Sequence, residues 1–217
     1  MSGKALAVGM IAALCAVSPA FAAGVSITVD DTKGRPAAGA IVELVSDTHA
    51  DLPASRVPAE AIIDQRRETF IPLVSLVRKG GQVVFTNNDA TMHQVYSFSP
   101  IKQFQFEIDQ GERSKPVVFG QSGVASIGCN IHDQMIAYVY VADSPFAAMT
   151  DTKGYVTFQD VPAGAYHAAV WHPQAMPGRP FAPQPVAVAN SPVALTLQIP
   201  LVPGAAPGTR PMHMGRY

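Results

Sequence analysis

Cys129, His132 and Met135 stand at three-residue steps in Gly128-Cys129-Asn130-Ile131-His132-Asp133-Gln134-Met135. His93 lies well upstream, in Thr86-Asn87-Asn88-Asp89-Ala90-Thr91-Met92-His93-Gln94-Val95. One thiolate, two imidazoles and a thioether make a mixed soft and borderline donor set. Thiolate and thioether favour a cuprous ion, imidazole serves both copper oxidation states, and a His₂Cys plane with a weak axial Met is the donor set of a type 1, or blue, copper site. His93, Cys129, His132 and Met135 are therefore expected to hold one copper ion. Four protein donors leave no open position for a substrate, which argues for electron transfer and against catalysis at the metal.

The elements that must position these donors follow from the spacing. Three ligands within seven residues converge on one ion only from a tight loop between two strands, here Val124-Ala125-Ser126-Ile127 before the loop and Ile136 to Val141 after it. The fourth donor must come from a distant segment, so folding of the scaffold itself assembles the site. Gln82-Val83-Val84-Phe85-Thr86 reads as a strand running up to the His93 segment, and Phe70 to Val77 as a strand on the other side of the Lys79-Gly80-Gly81 turn. Gln103-Phe104-Gln105-Phe106-Glu107-Ile108 alternates polar and apolar as a half-buried strand does.

The ligand segments also carry a resemblance. Asn87-Asn88-Asp89 ahead of His93-Gln94-Val95, then Cys-x₂-His-x₂-Met ahead of Ile136-Ala137-Tyr138-Val139-Tyr140-Val141, resembles the cupredoxins plastocyanin, pseudoazurin and amicyanin. The two-residue gap between His132 and Met135 looks most like amicyanin. The stretch from Phe70-Ile71-Pro72 through Tyr96-Ser97-Phe98-Ser99-Pro100 to Trp171-His172-Pro173 looks like bacterial periplasmic proteins labelled methylamine-utilization or plastocyanin-like. The likeness spans roughly residues 25 to 200, is specific at the ligand loop and soft elsewhere. It implies a cupredoxin Greek-key β-sandwich, a periplasmic one-electron carrier and a transient redox protein partner. The sequence departs from the commoner pattern at Ile127 and Gly128, at Asn130-Ile131 and at Gln94, positions that supply hydrogen bonds and packing around the sulfur.

The N-terminus reads as an address. Lys4 gives a short positive region, Ala5 to Val17 is apolar but too short to span a bilayer, and Ala20-Phe21-Ala22 is a small-x-small cleavage signature. Residues 1–22 are expected to be a secretory signal peptide, leaving a mature chain in the periplasm with no transmembrane segment. Cys15 falls inside the signal, and Leu14 before it does not fit a lipoprotein cleavage box. Cys129 is then the sole cysteine of the mature chain. An unpaired thiol in an oxidising compartment is unusual unless a metal protects it or it is buried and inert. A formal net charge of −1 gives no reason to expect nucleic-acid or anionic-membrane binding.

Composition points to an all-β fold. Gly and Pro are abundant at 17 and 19 residues, and the apolar runs are short and rich in Val, Ile, Phe and Tyr. Val25-Ser26-Ile27-Thr28-Val29, the turn Asp31-Thr32-Lys33-Gly34-Arg35-Pro36, and Ile41 to Val45 read as strand, turn, strand. A second such pair runs from Thr150-Asp151-Thr152-Lys153-Gly154 through Tyr155 to Phe158 and on to Val170. Together they resemble the two halves of one transthyretin-like, carboxypeptidase-regulatory-like sandwich. Residues 24–50 and 145–200 are therefore expected to form a discontinuous small β-sandwich, with a cupredoxin domain over 62–143 inserted in it. A plain tandem order is the alternative. Asp47 to Ala61 reads as the crossing linker and 201–217 as a flexible tail, ending in a Met212-His213-Met214 triplet that chance explains as well as copper capture does.

The remaining histidines have bland readings. His167 and His172 lack ligand spacing and are read as structural, and His49 lies in the linker. Asp133 reads as a solvated charge. Met92, Ile131 and Met135 form a candidate apolar docking patch around the more exposed His132, with ordinary loop packing as the equal alternative. No nucleophile triad, paired-carboxylate motif or phosphate-binding loop stands out, so an enzyme is not expected. Two other functions stay open: copper binding or delivery without electron transfer, and an envelope- or carbohydrate-binding module carrying a degenerate cupredoxin.

Overall fold

The computed structural model of the chain describes residues 23–48, 52–178 and 181–202, and every regular element among them is a strand. The expected signal peptide, His49, the Met212-His213-Met214 triplet and all of the expected tail beyond Val202 lie outside the described residues. No helix is long and apolar enough to cross a membrane among the described residues.

The chain opens with β1 (Ala23–Asp31) and β2 (Ile41–Ser46). Nine strands follow: β3 (Glu60–Gln65), β4 (Phe70–Ile71), β5 (Val74–Arg78), β6 (Gln82–Asn87), β7 (His93–Ser99), β8 (Lys102–Ile108), β9 (Val117–Val118), β10 (Gly123–Cys129) and β11 (Ile136–Ala142). The last five are β12 (Ala147–Met149), β13 (Tyr155–Val161), β14 (Gly164–Trp171), β15 (Gln184–Val188) and β16 (Val193–Ile199).

Period-2 patterning drives β1: Ala23, Val25, Ile27 and Val29 alternate inward with half-exposed neighbours. β1 pairs antiparallel with β13, placing Ile27 beside Val156, and parallel with β16, placing Ile27 beside Leu195. The companion sheet runs β12-β2-β14-β15. These seven strands share one core in which Val25, Ile27, Val42, Leu44, Phe146, Phe158 and Tyr166 meet. The intervening strands make two other sheets, β5-β11-β10-β7-β8 and β4-β3-β6-β9. Their core is a second cluster, including Ile63, Phe70, Val83, Phe85, Val95, Phe119, Ile127 and Val139 together with Cys129 and Met135.

Three boundaries differ from the sequence reading. The strand expected over Phe70 to Val77 is two, because Pro72 and Leu73 turn the chain from β4, on β3, to β5, on β11. β3 starts at Glu60, inside the stretch assigned to the linker and ahead of the expected start at 62. Its parallel ladder with β6, Glu60 opposite Gln82, recruits residues with little strand preference of their own. The expected tail at 201 begins bound: Ala175 and Leu201 form a β-bridge, and the Val202 N–H donates to the Gln174 carbonyl at 3.0 Å.

The two sets of strands meet over a polar and aromatic junction. Buried Glu43 on β2 accepts the Tyr140 hydroxyl at 2.8 Å and the backbone N–H groups of Asp143 and Ser144 at 2.9 and 2.7 Å. Burial, and then the Glu43 carboxylate, raise the Tyr140 pKa, so the hydroxyl stays a neutral donor. The Trp171 ring lies against Tyr138 and Tyr140, at centroid distances of 5.4 and 6.0 Å.

His172, just beyond β14, is structural in its contacts. Its Nε2–H donates to the Ala38 carbonyl, and its Nδ1 accepts the Gln174 N–H, both at 3.1 Å. Burial pushes its pKa below the ordinary 6.5, against the smaller upward pull of the Ala38 bond. The unfolded chain therefore takes up this proton first as pH falls, and folding stability drops below about pH 6.5 towards the lower folded-state value. Urea unfolding of the metal-free chain at pH 7.5 and 5.5 checks this: His172→Asn should flatten the loss, and an equal loss in both proteins assigns it elsewhere.

Candidate metal centre

The His93 donor is placed by the end of β6. Asn87, fully buried, closes the 88–92 loop: its Nδ2–H₂ group donates to the Thr91 and Ile108 carbonyls at 2.8 and 2.9 Å, and its Oδ1 accepts the Asp89 N–H at 2.9 Å. β7 then begins at His93, whose ring has no solvent exposure. β10 runs antiparallel to β7, pairing Gly128 with Tyr96 and Cys129 with Val95. A Cβ at Gly128 would come within 2.6 Å of the Tyr96 ring, so glycine is what lets that ring lie over the backbone next to the thiol.

The loop after Cys129 is tied to the same strand. The Asn130 N–H donates to the Gln94 carbonyl at 3.0 Å, the Asn130 side-chain amide donates to Gln94 Oε1 at 2.8 Å, and the Gln94 amide donates to Glu107 at 3.1 Å. Gln94 and Asn130, two of the departures from the commoner pattern, thus complete each other. The Met135 N–H donates to the His132 carbonyl at 3.0 Å and closes the loop into β11.

His93, Cys129 and His132 come together as a compact group of potential ligands. Cys129 Sγ lies 3.7 Å from His93 Nδ1 and 3.9 Å from His132 Nδ1, and the two Nδ1 atoms are 3.2 Å apart. A circle through three atoms with these separations has a radius of about 2.1 Å, which matches metal–imidazole and approaches metal–thiolate bond lengths of about 2.0–2.3 Å. The donor set and its triangle fit a trigonal copper site. Met135 is buried in the same core cluster as Cys129. That removes Met135 from the expected docking patch: it packs inward, while Met92 and Ile131 are 39% and 46% exposed. The His132 side chain is 16% exposed, so of the two imidazoles it is the one nearer solvent.

Two carboxylates near the imidazoles escaped the sequence reading. Asp89 Oδ2 lies 3.1 Å from His93 Nε2, and Glu68 Oε1 lies 3.6 Å from His132 Nε2. Partial burial raises the Asp89 pKa, yet hydrogen bonds from the Glu68 N–H, the His93 ring and the Arg67 and Ala90 N–H groups outweigh it and hold the carboxyl below its ordinary 3.8. Asp89 was legible as a carboxylate four residues before His93; nothing in the sequence linked Glu68 to His132. His167 pairs with Asp47 on the surface of the other unit, well apart in sequence from the ligand group.

No protein-family model matches the chain, and no curated protein does. Among solved structures, a purple cupredoxin from Nitrosopumilus maritimus is similar to 38% of this chain and 99% of its own, at 24% identity and a TM-score of 0.35. An amicyanin from Paracoccus versutus is similar to 46% of this chain and 92% of its own, at 19% identity and a TM-score of 0.34. A copper-containing nitrite reductase from Thermus scotoductus matches over 39% of this chain and only 22% of its own, at 21% identity and a TM-score of 0.36. Each likeness is partial, and what the site does rests on its own donors.

Proposed function

We propose that this chain is an exported type 1 copper protein that carries single electrons between protein partners, with His93, Cys129, His132 and Met135 as its ligands. The observation that carries the reading is the triangle of one sulfur and two Nδ1 atoms whose centre is about one metal–ligand bond from each corner. Bound copper would supply a one-electron couple between its cupric and cuprous states. The chain's own part is to keep that geometry nearly unchanged in both. Cys129 would offer a soft thiolate shielded from water; His93 is held between Asn87's loop and β10; Met135, buried in the same cluster as Cys129 and tied by its N–H to the His132 carbonyl, would add a weak thioether donor. Because four donors leave no substrate position, the proposal is a carrier and not an enzyme. The compartment follows from the N-terminal reading, and Met92 and Ile131 beside His132 suit a small, transient docking contact.

The copper-loaded, oxidised protein should show an intense visible thiolate-to-copper charge-transfer band, and Cys129→Ser should abolish it, because a hydroxyl cannot replace the soft donor. A fully loaded, oxidised protein without that band would remove the assignment. Reversible one-electron voltammetry supports the carrier; irreversible loss of copper to a chelator under the same conditions would instead favour copper delivery.

Met135→Leu should keep the copper and raise its potential, since losing a weak axial thioether favours the cuprous state. An unchanged potential would mean that Met135 is not axial.

The domain map is part of the proposal. The separate cores and the partnering of β1 with β13 and β16 support a cupredoxin unit of about 60–143 inserted in a sandwich built from both chain ends. A polypeptide spanning 60–143 should then fold and take up copper alone. If it stays unfolded while the full chain binds copper, the two units are not independent domains.

A further inference from the structure

The hairpin turn between β3 and β4 has an unfavourable backbone for its residues. Arg66 and Thr69 close it with reciprocal N–H to carbonyl bonds of 3.0 Å, and the two central residues, Arg67 and Glu68, sit at φ of 51° and 53°. Such a turn asks for Asn-Gly, and neither residue present adopts the left-handed region readily. Its partner is Asp89. The Glu68 N–H donates to Asp89 Oδ2 at 2.6 Å, and the same oxygen lies 3.1 Å from His93 Nε2. The turn then carries the Glu68 carboxylate to 3.6 Å from His132 Nε2. Both sides are braced. Asn87 Oδ1 holds the Asp89 N–H, and Asn88 bonds β3 twice, through its N–H to the Gln65 carbonyl at 3.0 Å and its side-chain amide to Asp64 at 2.7 Å.

We propose that Asp89 and the Arg66–Thr69 turn form one carboxylate clamp on the outer nitrogens of both imidazoles, fixing the His93 tautomer and favouring the cupric over the cuprous ion. The proposal rests on the copper reading for its second half only. A neutral imidazole carries one proton, so an acceptor at Nε2 keeps it there and leaves the Nδ1 lone pair facing Cys129 and His132. An anionic acceptor also raises the basicity of the coordinating nitrogen, which benefits the more highly charged ion more. The Asp89 contact is short and next to a fully buried ring, so it dominates. The Glu68 contact is too long for a hydrogen bond and its side chain is 47% exposed, so it acts as a weaker charge across a gap.

Asp89→Asn separates charge from geometry, since an amide oxygen keeps both bonds and loses the negative charge. In the full copper-loaded chain it should weaken cupric relative to cuprous binding about tenfold, a rise of about 59 mV for a one-electron couple, with the visible band retained. Glu68→Gln should shift the potential the same way and by less. Asp89→Ala removes both bonds, and ¹⁵N shifts of the metal-free full chain should then show His93 leaving the pure Nε2–H tautomer that the parent protein holds. A role confined to bracing the turn would lower the melting temperature of Asp89→Asn and leave its potential at the parent value, and that result overturns the tuning. A His93 tautomer unchanged in folded Asp89→Ala overturns the clamp. Failure of the parent protein to show the band would count against the copper reading, and the ¹⁵N comparison would still decide whether Asp89 sets the tautomer.

Discussion

Three electron-pair donors pointing at one another across less than 4 Å are the constraint on which the rest of this protein depends. Three lone-pair-bearing atoms crowd one another at that range unless a cation or a shared proton lies among them, and the burial of Cys129 and His93 keeps solvent from relieving the crowding. The scaffold must therefore hold the donors together against their own electrostatics. It does so with backbone hydrogen bonds and with neutral, hydrogen-bonded side chains, which carry no net charge of their own.

Asn87 shows how this is done. One side chain satisfies the Thr91 and Ile108 carbonyls and the Asp89 N–H, so the loop delivering His93 has almost no freedom left. On the other side, Gln94 couples the strand that carries His93 to the loop that carries His132, through both its backbone and its side chain. Moving one imidazole without the other would break these bonds, each of which is worth about 1 kcal/mol net and costs more if a buried group is left unpaired. The proposed carrier role would benefit directly, because donors that cannot relax impose nearly the same geometry on both oxidation states.

The outer unit matters through its junction. Glu43 takes the Asp143 and Ser144 N–H groups just where the chain leaves β11, and the Arg78 and Gln82 N–H groups bond the Pro58 and Ala59 carbonyls where it arrives. Both crossings are thus fixed next to each other, which the proposed insertion of one unit within the chain of another would require. A carboxylate this buried is costly unless fully bonded, and Glu43 has three donors to meet it.

The donor types and spacing of His93, Cys129, His132 and Met135 could be read without any coordinates, because residue chemistry and loop length are local properties. Strand periodicity was equally local, and Val25 to Val29 or Phe104 to Ile108 could be read by their alternation. What the sequence left undecided depends on through-space partners. The break of Phe70–Val77 into two strands, the recruitment of Glu60 into β3 and the bonding of Leu201 and Val202 were set by ladders with distant segments, which override weak local preference. Met135 reads equally well as an exposed patch or a buried side chain until β11 turns it inward. Glu68 carries no signal in its own neighbourhood: its place beside His132 comes from a turn that bonds Asp89, on another loop. The candidate donors are written in the sequence, while the carboxylates around them are decided by the tertiary fold, because charge acts through space and not along the chain.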